Sequence, residues 1–388
     1  MDIFERDAEY IAHTYARFPL EIVGGKGSLV YGADGKEYID MGAGIAVNTF
    51  GIADDEWTRA VTEQLGRFQH TSNLYYAEPC VRLAEALCGR TGLKRVFFSN
   101  SGAEANECAI KAARKYAHDK KGADCYYILT LRNSFHGRTL TTLAATGQDV
   151  FHKDYLPLTP GFVYADANDL SSVRAVVKEY PIAAILFEAV QGEGGVLPLT
   201  AEFARGLSDI AGEEDILLIA DEVQIGNGRS GMLYGYMNFG ITPDIVTTAK
   251  GIGGGLPIGV TMLGEKVKNI FSPGDNGSTF GGNPVAAAGA YNILSRLDDD
   301  CLAGVRERSA YIREELTGAK GVNRVTGMGL MLGIDASRGA SAVVAGCMER
   351  GVLVLKAKDK VRLLPALNIP TELLKRAVAV IKEVCGGC

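Results

Sequence analysis

Short β-branched and aromatic runs alternate with longer amphipathic stretches through the middle of the chain, from about residue 95 to 265. Runs at 95–99, 126–130, 183–188, 216–221, 245–248 and 259–263 have the length and apolar character of buried strands. Between them, segments such as 103–118 and 200–212 place apolar residues at helical spacing. Strands that alternate with helices predict crossover units, and hence a mostly parallel sheet covered on both faces. Beyond residue 285 the pattern changes. A helix opens at 286–297, strand-like pieces follow around 328–334 and 352–355, and a last helix runs over 372–384 with Thr371 as its expected N-cap. That is the pattern of a smaller α+β lobe. The first fifty residues, with turns expected at Gly24-Gly25-Lys26-Gly27 and Asp34-Gly35, read as hairpins packing on it. The expected division is an N-terminal segment 1–50 joined to a small domain 286–388, with a large domain 51–285 between them.

Composition narrows the class. Of 388 residues, 47 % are hydrophobic and 22 % charged, the balance of a globular protein with a large core. Forty basic and 46 acidic side chains leave a net charge of −6 with no basic block, which argues against nucleic acid as a partner. No uncharged apolar run reaches the ~20 residues of a membrane helix. The charged start Met1-Asp2-Ile3-Phe4-Glu5-Arg6-Asp7 lacks the apolar stretch of a signal peptide, so a cytoplasmic location is expected. The eight cysteines are scattered, and the terminal CxxC of Cys385 and Cys388 lacks the further ligands of a zinc site; no metal is expected.

The candidate chemistry lies at strand ends. Asp221 closes the apolar run 216–220, and Lys250 closes the run 245–249 just ahead of Gly251-Ile252-Gly253-Gly254-Gly255. In an open α/β sheet both would face the crevice outside the strand ends, where ligands bind. A carboxylate there can keep a pyridine nitrogen protonated, and a lysine can condense with an aldehyde; pyridoxal 5'-phosphate needs both. The glycine run is not a nucleotide loop, because its lysine precedes the glycines instead of following them. Upstream, Ser99-Asn100-Ser101-Gly102-Ala103-Glu104 follows a strand and opens a helix, whose first free amides would meet an anion.

Several further motifs stand in one order along the chain. They are Thr14-Tyr15-Ala16-Arg17-Phe18-Pro19, His70-Thr71-Ser72-Asn73-Leu74-Tyr75-Tyr76, Phe135-His136-Gly137-Arg138-Thr139 and Gln191-Gly192-Glu193-Gly194-Gly195. Asp221-Glu222-Val223-Gln224-Ile225-Gly226-Asn227-Gly228-Arg229-Ser230-Gly231, Lys250-Gly251 and Gly277-Ser278-Thr279-Phe280-Gly281-Gly282-Asn283-Pro284 complete the set. Nearly end to end, the sequence resembles the class III (ornithine-type) aminotransferases, and within them the acetylornithine branch. The resemblance implies the α/β fold type I of pyridoxal-phosphate transferases, with a mostly parallel seven-stranded sheet in a large domain and a small α+β domain. It implies that Lys250 carries the cofactor, that Asp221 faces the ring nitrogen and that Phe135 stacks on the ring. Gln224 would lie near the phenolic oxygen, and Ser101, Gly102 and Ala103 at the phosphate. Thr279 would reach the phosphate of the neighbouring subunit, which makes a homodimer part of the active site.

The same resemblance implies transfer of the δ-amino group of N2-acetyl-L-ornithine to 2-oxoglutarate, a step of arginine biosynthesis that yields N-acetyl-L-glutamate 5-semialdehyde and L-glutamate. Arg138 would clamp the carboxylate far from the reacting amine, and Arg362 the one beside it; the planar guanidinium fork suits both tasks. Glu193 would pair with Arg362 and mask it until glutamate arrives. Tyr15 and Ser278 are expected near the substrate, with Asn73, Tyr75 and Glu188 bordering the pocket. Ile225, Ala189 and Ala366 depart from the threonine and two prolines common in the family. Ornithine, succinylornithine, succinyl-diaminopimelate and 4-aminobutyrate stay open as alternative donors. An aminomutase is disfavoured, since it would not need a gated arginine.

Overall fold

A computed structural model of the chain describes residues 1–387. Its centre is a seven-stranded sheet of β1 (Arg95–Ser99), β2 (Tyr127–Leu131), β3 (Phe162–Ala165), β4 (Ile182–Phe187), β5 (Leu217–Asp221), β6 (Ile245–Thr248) and β7 (Gly259–Leu263). They lie in the order β1-β7-β6-β5-β4-β2-β3. All neighbours run parallel except β7, which is antiparallel to both β6 and β1. The inner strands are largely apolar because both faces are covered. Every residue of β4 is buried, and so is every residue of β5 and β6.

The helix Gly102–Lys121 covers one face. Ala105, Cys108, Ala109, Ala112 and Ala113 form its buried stripe, and their small side chains allow close approach to the sheet. Ser101 caps it, accepting from the Glu104 amide at 3.2 Å, while Lys120 and Lys121 complement the dipole of its last turn. The helix Ala201–Glu213 packs beside β5, capped by Thr200.

A second sheet joins β8 (Val322–Met328), β9 (Met331–Ala336), β10 (Leu355–Ala357) and β11 (Lys360–Leu363) in the order β8-β9-β11-β10. The two chain ends meet in a third sheet, where Val352–Leu353 pairs in parallel with Glu37–Asp40.

Several local expectations are corrected. The single piece at 328–334 is a hairpin turning at Gly329, which has φ +54°. The piece at 352–355 divides between two sheets. Gly24-Gly25 lie inside the strand Ile22–Lys26, and the turn falls at Gly27, φ +60°. Thr371 is the first residue of the last helix, Thr371–Gly386, and Pro370 is its N-cap. Strand β3 was not foreseen. Cys388, and with it the Cys385/Cys388 pair, lies outside the described residues. No helix among the described residues is long and apolar enough to cross a membrane.

Candidate active site

The carboxyl ends of β1, β2, β4, β5 and β6 open on one cavity of about 400 Å³, within the range of small-ligand sites. Asp221, the last residue of β5, is 4 % exposed. Its Oδ2 accepts from Asn106 Nδ2 at 2.7 Å and lies 2.8 Å from His136 Nδ1, and its Oδ1 accepts from the Val223 amide at 3.0 Å. With a carboxylate as its acceptor, His136 Nδ1 carries the proton. Asn106 is itself held by Thr247 Oγ1 at 2.7 Å and donates to the His136 carbonyl. The acid is thus aimed by two buried polar side chains. Glu222, next along, takes the opposite direction. Both its oxygens accept main-chain N–H groups, from Gly235 at 2.7 Å and Tyr236 at 2.8 Å, and burial pushes its carboxyl up to about 8.

Lys250 follows β6, and the register sets Asp221 opposite Thr247, so both residues leave the sheet at one edge. Its backbone is left-handed, φ +48°, a conformation that a side chain disfavours. Asn227 Nδ2 donates to the preceding Ala249 carbonyl at 3.1 Å and helps fix that turn. The Lys250 amine lines the cavity and has no hydrogen-bond partner among the described residues. Burial lowers its pKa; Glu193 opposes that shift and Arg362 adds to it. A lowered pKa favours the free amine, the form that acts as nucleophile and base.

Ser101, Gly102 and Ala103 form the wall at the helix start, where main-chain amides lack partners within the helix. A Cβ at Gly102 would come within 2.6 Å of Val223 Cγ1, so only glycine leaves this wall open. Phe135 and Glu188 lie on the cavity too, joined by the Phe135 amide donating to Glu188 Oε2 at 3.0 Å. Burial, with Asp221 alongside, holds the Glu188 carboxyl well above the usual carboxylate range.

The two arginines differ. Arg138 is exposed at the cavity, without an ion-pair partner among the described residues, its guanidinium 5.9 Å from the Phe135 ring and 5.6 Å from Phe151. Arg362, in β11, is 3 % exposed; its Nη1 donates to Glu193 Oε1 at 2.5 Å and to Gln224 Oε1 at 3.1 Å. Gln224 Nε2 closes the cluster on Glu193 Oε1 at 3.2 Å. Arg362 Nε is buried with no acceptor among the described residues. Burial works to raise the Glu193 pKa, yet the Arg362 charge and hydrogen bond bring it below the usual value.

Other candidates lie apart. Tyr15 is 68 % exposed beside Arg17 and does not line the cavity. Ser278 is tied to Asn100 Nδ2 at 3.1 Å, Thr279 beside it is exposed, and neither lines the cavity of its own chain. Asn73 Nδ2 holds the Ser278 and Gly281 carbonyls at 3.1 Å, and Tyr75 is exposed. Asn106, His136 and Phe151 were not singled out from the sequence.

Residues 10–385 match the family Aminotransferase class-III. The chain belongs to the class III aminotransferases. Among curated relatives, the acetylornithine aminotransferase of Haemophilus ducreyi is 48 % identical over 384 residues, covering 98 % of each chain. A succinylornithine transaminase of Salmonella paratyphi A is 44 % identical over 374 residues, 94 % of this chain and 91 % of that one. The solved ornithine aminotransferase of Toxoplasma gondii superposes with a TM-score of 0.94 at 29 % identity, covering 98 % and 94 % of the two chains.

Class III aminotransferases use pyridoxal phosphate, and the cavity of this one fits it. An unpartnered amine stands at Lys250, a fixed acid at Asp221, an aromatic at Phe135 and an open helix start at Gly102.

Proposed function

We propose that this class III aminotransferase moves the δ-amino group of N2-acetyl-L-ornithine to 2-oxoglutarate, in the cytoplasm, as a step of arginine biosynthesis. The observation that carries the reading is the contrast between an open Arg138 and an Arg362 masked by Glu193 and Gln224. An ω-amine donor has no carboxylate beside its reacting amine, whereas glutamate does. A permanently bare Arg362 would favour glutamate in both directions, and a buried unpaired charge would cost roughly 3–5 kcal/mol. Glu193 answers both problems.

In this reading Lys250 would hold the cofactor covalently, Asp221 would serve its ring nitrogen, Phe135 its ring face, and Gln224 its phenolic oxygen. Ser101, Gly102 and Ala103 hold the phosphate, together with Thr279 of the partner subunit in a homodimer. When bound, the cofactor supplies the electron sink that makes the carbon bearing the substrate nitrogen acidic. The protein's own residues do the rest. Arg138 grips the distal carboxylate and so brings the δ-carbon to Lys250. The Lys250 amine would take the proton from that carbon and deliver it to the carbon on the cofactor side of the same nitrogen, so that water releases the aldehyde and the amino group stays behind for the 2-oxo acid. Asn106 and His136 keep Asp221 directed at the ring nitrogen. When the 2-oxo acid enters, Glu193 leaves Arg362, whose guanidinium then takes the carboxylate beside the oxo group. Tyr15 and Ser278 stay at the substrate margin, and the chain divides near residues 50 and 285.

A second reading is favoured by the Salmonella paratyphi A relative, whose name specifies succinylornithine. The deciding measurement is glutamate formation from 2-oxoglutarate with acetylornithine, succinylornithine, ornithine and 4-aminobutyrate in parallel. Acetylornithine should be fastest; an equal or better rate with free ornithine overturns the substrate assignment.

A further inference from the structure

Arg229 is 2 % exposed and has no ion-pair partner among the described residues. Burial lowers its pKa to about 9, against the opposing charge of Asp40. A buried cation without a paired anion is unfavourable, so its place in the fold asks for a reason. Its Nη1 donates to two main-chain carbonyls, Leu330 at 3.1 Å and Pro365 at 2.8 Å. Leu330 immediately precedes β9, and Pro365 lies just beyond β11. Those strands pair with Gly333 opposite Arg362 and Leu332 opposite Leu363. One guanidinium nitrogen therefore ties the start of one strand to the end of its neighbour, next to the residue that Glu193 masks.

Arg229 stands in the loop that leaves β5 at Asp221 and carries Gln224. The same loop is fixed from the other side. The Leu330 amide donates to the Arg229 carbonyl at 2.9 Å. At Gly329 a Cβ would come within 2.2 Å of that oxygen, so the hairpin turn can approach it only as glycine. We propose that Arg229 is a positioning residue for the Arg362 clamp, holding the β9–β11 pair at a fixed distance from the loop that carries Asp221 and Gln224. This rests on the reading that Arg362 takes the carboxylate beside the reacting amine of glutamate. Arg138 stands between β2 and the helix Leu140–Ala145, on elements that Arg229 does not touch. Asp221 serves both half-reactions, but only Arg362 stands on the strands that Arg229 ties, so Arg229 bears far more on the glutamate half-reaction than on the acetylornithine one.

The test follows single-turnover half-reactions of the holoenzyme by cofactor absorbance, with glutamate and with acetylornithine separately. Arg229→Met should weaken apparent glutamate binding about tenfold or more and change acetylornithine binding less than about twofold. Arg229→Lys keeps a charge but not the planar fork, and should fall between; it carries the test where Arg229→Met does not fold. Equal losses in both half-reactions, or no loss in either, overturn the proposal. Arg362→Lys is the control. Weakened glutamate binding there with none in the Arg229 variants removes only this inference, whereas an unchanged glutamate half-reaction in Arg362→Lys removes the reading of Arg362 itself.

Discussion

Arg138 lines the cavity, Arg362 meets it through Gln224, and the two stand under opposite conditions. The first is exposed, without an ion pair among the described residues, and lodged near two aromatic rings; the second is buried and closed off by Glu193 and Gln224. Water makes it inexpensive for Arg138 to wait open, because an exposed guanidinium keeps its hydration. Arg362 has no such freedom, since a buried charge must be matched. Its partner then becomes a competitor for any ligand carboxylate. The side chain of Glu193 is 29 % exposed, so the mask has solvent to move into while the arginine stays behind. Burial alone separates two identical chemical groups, one left open and one held in a pair.

The comparison can be broken at its base. Lys250→Ala should remove turnover with every donor, by about four orders of magnitude or more, because the proposed reading brings every substrate to that amine. Normal turnover by the purified variant would dissolve the argument. Next in size, Arg138→Leu should lower kcat/KM for acetylornithine about 100-fold, or about 3 kcal/mol, the loss of a charge-assisted clamp. A tenfold smaller effect would mean that the distal carboxylate binds elsewhere.

Glu193→Ala should act in the other direction. With Arg362 unmasked, glutamate should gain on acetylornithine as amine donor by about tenfold in relative kcat/KM. An unchanged ratio would show that the pair is only structural. The smallest effect concerns pH. Glu193 has a lowered pKa, so the pair's contribution is complete above the ordinary carboxylate pKa and fades as pH falls through the lowered value. The donor ratio should therefore be flat from about pH 6 to 8 and turn toward glutamate only below about pH 4. A shift centred near neutrality would assign the gate to another group.

The inner strands were legible because a strand buried on both faces is rich in apolar and β-branched residues, as 245–248 and 259–263 are, their threonines hydrogen-bonded inside. Strand β3 escaped notice: it is short, lies at the sheet edge, and only its last residue is fully buried. Lys250 and Asp221 could be read from their place after apolar runs. Asn106 had a fainter sign, lying one helical turn beyond Gly102 and so on the same face of the helix. His136 sat inside a motif whose flanking Phe135 and Arg138 drew the attention. Phe151 offered nothing, because no periodicity links it to Arg138; only the folded chain brings them together. Tyr15 shows the converse, a residue named by its motif that one chain leaves in solvent.

The backbone at position 250 is left-handed, where any side chain larger than hydrogen is a burden of roughly 1 kcal/mol. Glycine would sit there more comfortably than the amine that the proposed chemistry requires. Variants chosen only for heat resistance should drift toward Lys250→Gly, gaining robustness as they fall silent. At that position folding and turnover pull in opposite directions, and the lysine marks which of the two has been kept.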